Sequence, residues 1–293
     1  MNKTLQVVAW SVTGLLLIVL AAWLGPHLSP YSYETVSKDQ FLSPSWSHWL
    51  GTDLHGRDVF TRILYGARIS LLVGCVGAGV SLIIGVTYGL ISGYVGGWVD
   101  QAMMRVVDIL YSLPRMILVI AFIAALDEVT KNWFHARGMN EMVETSRLLL
   151  LFVVLGMVEW LTMARIVRGQ VLVLKERPFV QAAQVLGQHP LYTMVKHLLP
   201  NLGGLILVYL TLTIPAVILE ESFLSFLGLG VQAPRASWGT QLAEGVSFIN
   251  PVKMYWWLLA GPSFFMAFTL LCLNFLGDTL RDWFDPKQAG RRN

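Results

Sequence analysis

Ionisable side chains inside apolar runs are the first candidates for chemistry, because a lone charge in a bilayer core costs at least a few kcal/mol. Three groups qualify. The stretch "EESFLSF" sets Glu220, Glu221, Ser222 and Ser225 within one apolar run. Adjacent helical residues point about 100° apart, so Glu220 and Glu221 diverge, while Glu221, Ser222 and Ser225 share a sector. That sector either lines a path near its outer gate, with Glu221 open to an amino group, or holds a structural carboxylate bonded to a neighbouring helix. Gln101, Arg105, Asp108, Ser112 and Arg115 follow helical spacing and fall on one face. Arg105 and Asp108 can pair there at i, i+3. The stripe is either the wall of a wet vestibule or a polar contact within or between subunits. Glu159 stands alone in a further run, and a packing or capping contact with a neighbouring helix is its expected role, with a substrate contact the alternative.

The motifs of enzymes are missing. There is no H-E-x-x-H, no G-x-S-x-G and no histidine in the middle of an apolar run, which argues against an intramembrane hydrolase. No G-x-x-x-x-G-K-[ST] is present to cradle ATP, and no Cys/His cluster has metal-ligand spacing. The chain is therefore expected to bind no cofactor or metal itself. Cys75 and Cys272 both lie in apolar runs and read as packed thiols.

The elements that must position these groups are membrane helices. Of 293 residues 55% are hydrophobic and 13% charged, against about 25% charged in a soluble domain. A net charge of +3 without dense basic runs excludes nucleic acid as a partner. Six apolar runs, at 5–24, 68–92, 105–126, 147–167, 203–227 and 255–277, are each long enough to cross as a helix. The first reads as a retained span rather than a cleaved signal, since no A-x-A pattern follows it. Several of the tryptophans, Trp46, Trp49, Trp98, Trp256, Trp257 and Trp283, fall near the ends of these runs, as an aromatic belt in lipid would. Placing both termini in the cytoplasm puts slightly more basic residues inside than outside. Gly77, Ser81, Gly85, Gly89, Gly93 and Gly97 recur every fourth residue, a small-residue stripe for close packing within the chain or against a second subunit. Pro114, Pro215 and Pro262 invite kinks. The chain divides into 1–67 (first helix and external segment), a five-helix core at 68–285, and a tail at 286–293. Residues 127–146 read as a long external loop.

One polar segment interrupts this pattern, "ERPFVQAAQVLGQHPLYTMVKHLLPN" (Glu176–Asn201). Pro178 suits the first turn of a helix. Gly187 ends that helix, Pro190 starts another, and Pro200 is expected to stop it before the next span. Ala182, Ala183 and Gly187 give the first helix a bald patch with apolar flanks, a shape for a partner's groove.

"QAAQVLG" followed by "HLLP" resembles the EAA motif of permease subunits in binding-protein-dependent ABC importers, with Gln181, Ala182, Ala183, Gly187, Leu199 and Pro200 at the motif positions. Gln181 stands where the motif has an acidic residue, and His197 where it has an apolar one. "GTDLHGRDVFTRILYGARISLLVG", "SGYVGGWVDQAMMRVVDIL", "MARIVRGQ", "ESFLSFLGLG", "WGTQL" and "NFLGDTLRDWFDPK" are similar to the C-type permease of oligopeptide and dipeptide importers. The resemblance implies an all-α, polytopic type I importer permease in a bacterial inner membrane, with 168–201 as a cytoplasmic coupling loop. It implies as partners a homologous B-type permease, two ABC ATPases that hold ATP and Mg, an extracytoplasmic peptide-binding protein and a peptide substrate. Dipeptides, glutathione, nickel chelates and antimicrobial peptides are alternative cargoes within the same family. Asp108, Ser112, Arg115, Glu221, Ser222 and Ser225 are the candidates for the translocation path, and Gly85, Gly89 and Gly93 for helix packing.

Overall fold

The computed structural model describes residues 3–233, 235–249 and 253–284; the expected tail at 286–293 lies outside them. Ten α-helices follow in order among the described residues: α1 (Lys3–Leu28), α2 (Val59–Val95), α3 (Gly97–Ser112), α4 (Arg115–Ala136), α5 (Asn140–Lys175), α6 (Pro178–Val185), α7 (Pro190–Thr193), α8 (Leu199–Phe226), α9 (Trp238–Ser247) and α10 (Trp257–Phe284). Five long apolar helices can each cross a membrane, and α3 with α4 makes a sixth span, bent by 93°.

That bend corrects the expected third span. Leu113 precedes a proline, which disfavours the helical region, and it takes an extended conformation (φ −89°, ψ 141°). The helix ends, and α4 restarts after Pro114. The third crossing therefore draws on α4, which runs ten residues beyond the expected end at 126. Residues 127–146 are consequently not a long loop. They are mostly the end of α4 and the start of α5, with Asp127 and Lys131 paired at i, i+4 (2.8 Å).

The small-residue stripe is the seam of the fold. Gly85 lies against Met163, Gly89 against Ala164 and Val167, and Gly93 against Val171. Both series ascend, so α2 and α5 run parallel with their backbones in close approach. Gly77 lies against Val217 of α8 instead, and Gly97 stands at the start of α3, off the stripe. The packing face is thus intramolecular. Cys75 shares the outward face of α2 with Val76 and Ile83 and is exposed, contrary to the expected packed thiol; Cys272 is buried.

α8 packs antiparallel on α2, α4 covers the far flank of α5, and α1 pairs with α10. At one end of the bundle, residues 29–58 form an ordered cap. Asp58 accepts from Thr61 N (2.8 Å), closing the first turn of α2. At the other end, α6 and α7 hang between α5 and α8.

Candidate functional site

The loop between α5 and α8 is built as a rigid protrusion. Pro178 opens α6, Val180 buries in a cluster with Leu174, Leu198 and Leu202, and Ala183 is buried as well. Gly187 takes φ +70°, a conformation that favours glycine, so that its N–H reaches Gln184 O (3.0 Å) and Gln188 N reaches Ala183 O (3.1 Å). His189 then caps α7, its Nδ1 accepting from Leu191 N (3.3 Å). The expected stop at Pro200 does not occur. The chain passes through a π-helical segment, Met194–Leu198, directly into α8. Pro200 lacks the N–H of an ordinary turn, and the wider π turn accommodates that loss. His197, in the motif's apolar position, braces the loop through Gln188 (3.1 Å).

Of the motif residues, Ala183 is buried and anchors α6, Leu199 is half-buried, and Gln181, Ala182, Gly187 and Pro200 are exposed. Beside them Val185 and Leu186 are 88% and 77% exposed, and Leu191 and Val195 extend the same apolar surface. Two ion pairs steady the helices that carry this loop. Asp100 takes Arg168 in a two-point contact (Nη2 to Oδ2, 2.6 Å) and also accepts from Ser92. Asp108 pairs with Arg165 (2.6 Å), whose guanidinium lies over Tyr111. The expected Arg105–Asp108 pair does not form, because Asp108 faces α5.

The bend also dissolves the expected single stripe: Gln101, Arg105, Asp108 and Ser112 lie on α3, and Arg115 on α4. Arg115 turns inward to Glu159 of α5 (2.8 Å), the neighbour contact expected for that carboxylate, and approaches Glu220 of α8 (3.8 Å).

Glu221, Ser222 and Ser225 are buried inside the chain and line no open path in this structure. Ser225 Oγ and Ser237 Oγ both donate to Glu221 Oε1 (2.6 and 2.7 Å), while Ser222 Oγ donates to Ile218 O. Ser237 also caps α9 by accepting from Thr240 N (3.2 Å). Glu221 therefore fastens the end of α8 to the start of α9, the structural role that was its alternative. The diverging neighbour, Glu220, is the one that meets other charges.

A second network was not anticipated. Asp53 accepts from Arg57 Nε (2.7 Å) and from Arg62 Nη1, and Arg62 forks onto both oxygens of Glu244 on α9 (2.7 and 3.0 Å). Gln241 Nε2 donates to Arg62 O (2.8 Å), and Trp257 Nε1 to Thr52 O (3.3 Å). This ties the cap to α9 and α10 around a cavity of about 170 Å³. The sequence separation of Arg62 and Glu244 hides the pairing from any local reading.

Comparison with known proteins agrees with this architecture. The family model for the binding-protein-dependent transport system inner membrane component matches residues 85–290. The chain is 44% identical over 274 residues to the dipeptide transport system permease protein DppC of Bacillus subtilis, covering 93% of this chain and 79% of that one. It is 44% identical over 280 residues to the oligopeptide transport system permease protein OppC of Escherichia coli K12, covering 94% and 86%. The inward-facing MetNI methionine ABC transporter shares the fold, with a TM-score of 0.57 at 18% identity over 76% of this chain and 96% of that one. The chain belongs to the family of binding-protein-dependent transport system inner membrane components.

Proposed function

We propose that this chain is one of two permease subunits of an ATP-driven importer of oligopeptides, with dipeptides the nearest alternative cargo. The observation that carries the reading is the α6–α7 loop: a short, rigidly held helix with an exposed apolar face, on the motif of this family. The curated relatives named above are peptide permeases, which supports the cargo class. In this reading the chain binds neither ATP nor Mg. Two partner ATPases supply hydrolysis, a second, B-type permease completes the path, and an extracytoplasmic binding protein delivers the peptide. The loop and both termini face the cytoplasm of a bacterial cell, and the Asp53–Arg62–Glu244 cap faces the binding protein. ATPase closure moves α6, and the motion passes through α5 and α8 to rock the helices between inward- and outward-open states.

Val185→Asp with Leu186→Asp tests the docking surface. Both side chains are exposed, so the fold is retained. Purification of the tagged chain in mild detergent is expected to recover the second permease but to lose the ATPases. Recovery of ATPases equal to wild type would refute α6 as the docking element.

A further inference from the structure

At the capped end of the bundle, a cavity of about 370 Å³ lies between the end of α1, the start of the cap and α2. Arg68, Tyr31, Tyr33, Tyr65, His27 and Ser32 are among the residues that line it, and among the described residues no carboxylate does. It shares no lining residue with the cavity beside Arg62.

Arg68 is placed there by a gap in the bonding of α1. Pro26 has no N–H, so the carbonyl of Ala22, four residues back, loses its helical donor. Arg68 Nη2 stands in for it (3.3 Å) and also donates to Trp23 O (3.1 Å). The guanidinium lies over the rings of Trp23 and Tyr65, 4.9 and 5.9 Å from their centroids. Tyr65 is in turn stacked on Tyr33 at 3.6 Å. The side chain is therefore held in place, but its charge is not answered. Two carbonyl dipoles and two ring faces do not cancel a full charge. Its Nε is buried, and Nη1 has no acceptor among the described residues. The acids of the neighbouring segments are engaged elsewhere, Glu34 by Tyr33 Oη (2.6 Å) and Asp58 by His48 and Thr61.

A half-buried guanidinium on the wall of an acid-free cavity takes an anion, and its depth says which kind. The apolar run of α1 ends at Leu24, and Arg68 bonds the carbonyls one and two residues before that. Its head therefore stands at the border between hydrocarbon and headgroups, with the exposed Trp23 beside it as an interfacial anchor. This is the level of lipid phosphates, and the fork of a guanidinium matches phosphate oxygens. Hydroxyls complete the wall. Ser32 Oγ accepts from Glu34 N, which leaves its O–H free to donate. Tyr31, its ring fixed 4.5 Å from that of His48, brings a hydroxyl that no protein group engages among the described residues.

We infer that this cavity is a phosphate site filled by the headgroup of an anionic phospholipid, inorganic phosphate being the other source of the same chemistry. Arg68 pairs with the phosphate, and Tyr31 and Ser32 donate to it. The acyl chains follow the exposed stripe Leu16, Leu20 and Trp23 down α1. A headgroup held there fastens α1, the cap and α2 at one point.

The test uses the full chain purified in maltoside micelles. Cys75→Ser removes the exposed native thiol, and Ser32→Cys places one on the cavity wall. Ser32 is exposed and holds only the N–H of Glu34, so the fold is retained. Labelling by a neutral maleimide is followed with three additives: phosphatidylglycerol, diacylglycerol of the same chains, and inorganic phosphate. Phosphatidylglycerol is expected to protect the thiol at a mole fraction where diacylglycerol does not. Arg68→Gln is expected to raise the phosphatidylglycerol needed for half-protection roughly tenfold, the scale of one charge-assisted hydrogen bond. Protection by the lipid and not by inorganic phosphate supports the headgroup as the occupant. Equal protection by inorganic phosphate supports the site and names the soluble anion instead. Equal protection by phosphatidylglycerol and diacylglycerol, or protection by none of the three, overturns the proposal. Unchanged half-protection in Arg68→Gln overturns it as well. Should that variant not fold, the comparison of the two lipids with Arg68 intact still decides.

Discussion

Replacing Gly89 by alanine places one methyl group in the seam between α2 and α5, and the structure sets its cost. A Cβ at Gly89 would lie 2.6 Å from Ala164 O, 2.8 Å from Val167 Cβ and 3.0 Å from Arg168 N. All three are backbone or first side-chain atoms, so no flexible group can swing away. Restoring ordinary spacing requires α5 to retreat by about 0.8 Å, and gaps of that size forfeit a quarter to a half of the van der Waals attraction between the facing atoms. Overpacking of this kind costs about 1–3 kcal/mol. The same retreat pulls Arg168 from Asp100, weakening the ion pair at the α3 end. Gly79, on the same helix, is the control: a Cβ there meets nothing within 4 Å. Gly79→Ala is expected to stay within about 0.5 kcal/mol of wild type, as for surface changes generally. The assay is reversible unfolding of the purified chain in mixed detergent micelles. Equal destabilisation by the two substitutions, or none by Gly89→Ala, would refute the seam as the source of stability.

Two further outcomes follow from the buried polar groups. Glu221→Gln keeps an acceptor for Ser225 and Ser237 and is expected to leave import unchanged, whereas Glu221→Ala orphans both hydroxyls and costs about 2–4 kcal/mol; thermal stability of the complex separates the two. Asp53→Ala removes a shared partner of Arg57 and Arg62, while Glu244 still holds Arg62, and is expected to cost about 1–3 kcal/mol, read as faster protease cleavage within residues 29–58 while α6 stays protected.

The six crossings were legible because apolar runs of membrane length are long, redundant signals. The turns of the α6–α7 loop were legible because Pro178, Gly187 and Pro190 each impose a local backbone geometry. The stripe at Gly85, Gly89 and Gly93 announced close packing, but not that α5 would be the partner. What failed was what hydropathy cannot register. Val106, Val107, Ile109 and Leu110 read as the start of a span, yet they belong to α3, before the extended Leu113 and the bend. Residues 127–146 read as a loop, whereas the i, i+4 pair of Asp127 and Lys131 supports a helix. Pro200 read as a stop because a π turn leaves no mark in composition. Glu220 and Glu221 were correctly set apart by helical geometry, but which of them would meet Arg115 depends on how α4, α5 and α8 pack. Partners as distant in sequence as Arg62 and Glu244 have no local trace at all.

The unbroken passage from Pro190 to Phe226 has a mechanical consequence. A linkage loses travel wherever it contains slack, and here there is little. Only Glu176 and Arg177 separate α5 from α6, and the left-handed turn at Gly187 is locked by two hydrogen bonds. From α7 onward the rod is helical throughout, interrupted by the missing N–H groups of Pro200 and Pro215. The protrusion and the first half of α8, up to Pro215, are therefore joined as one stiff piece, and displacement applied at one would reach the other without backlash. The bend at Leu113–Pro114, on the neighbouring span, is a separate break in the helical path. The sharpest break among the described spans thus lies beside this shaft rather than along it.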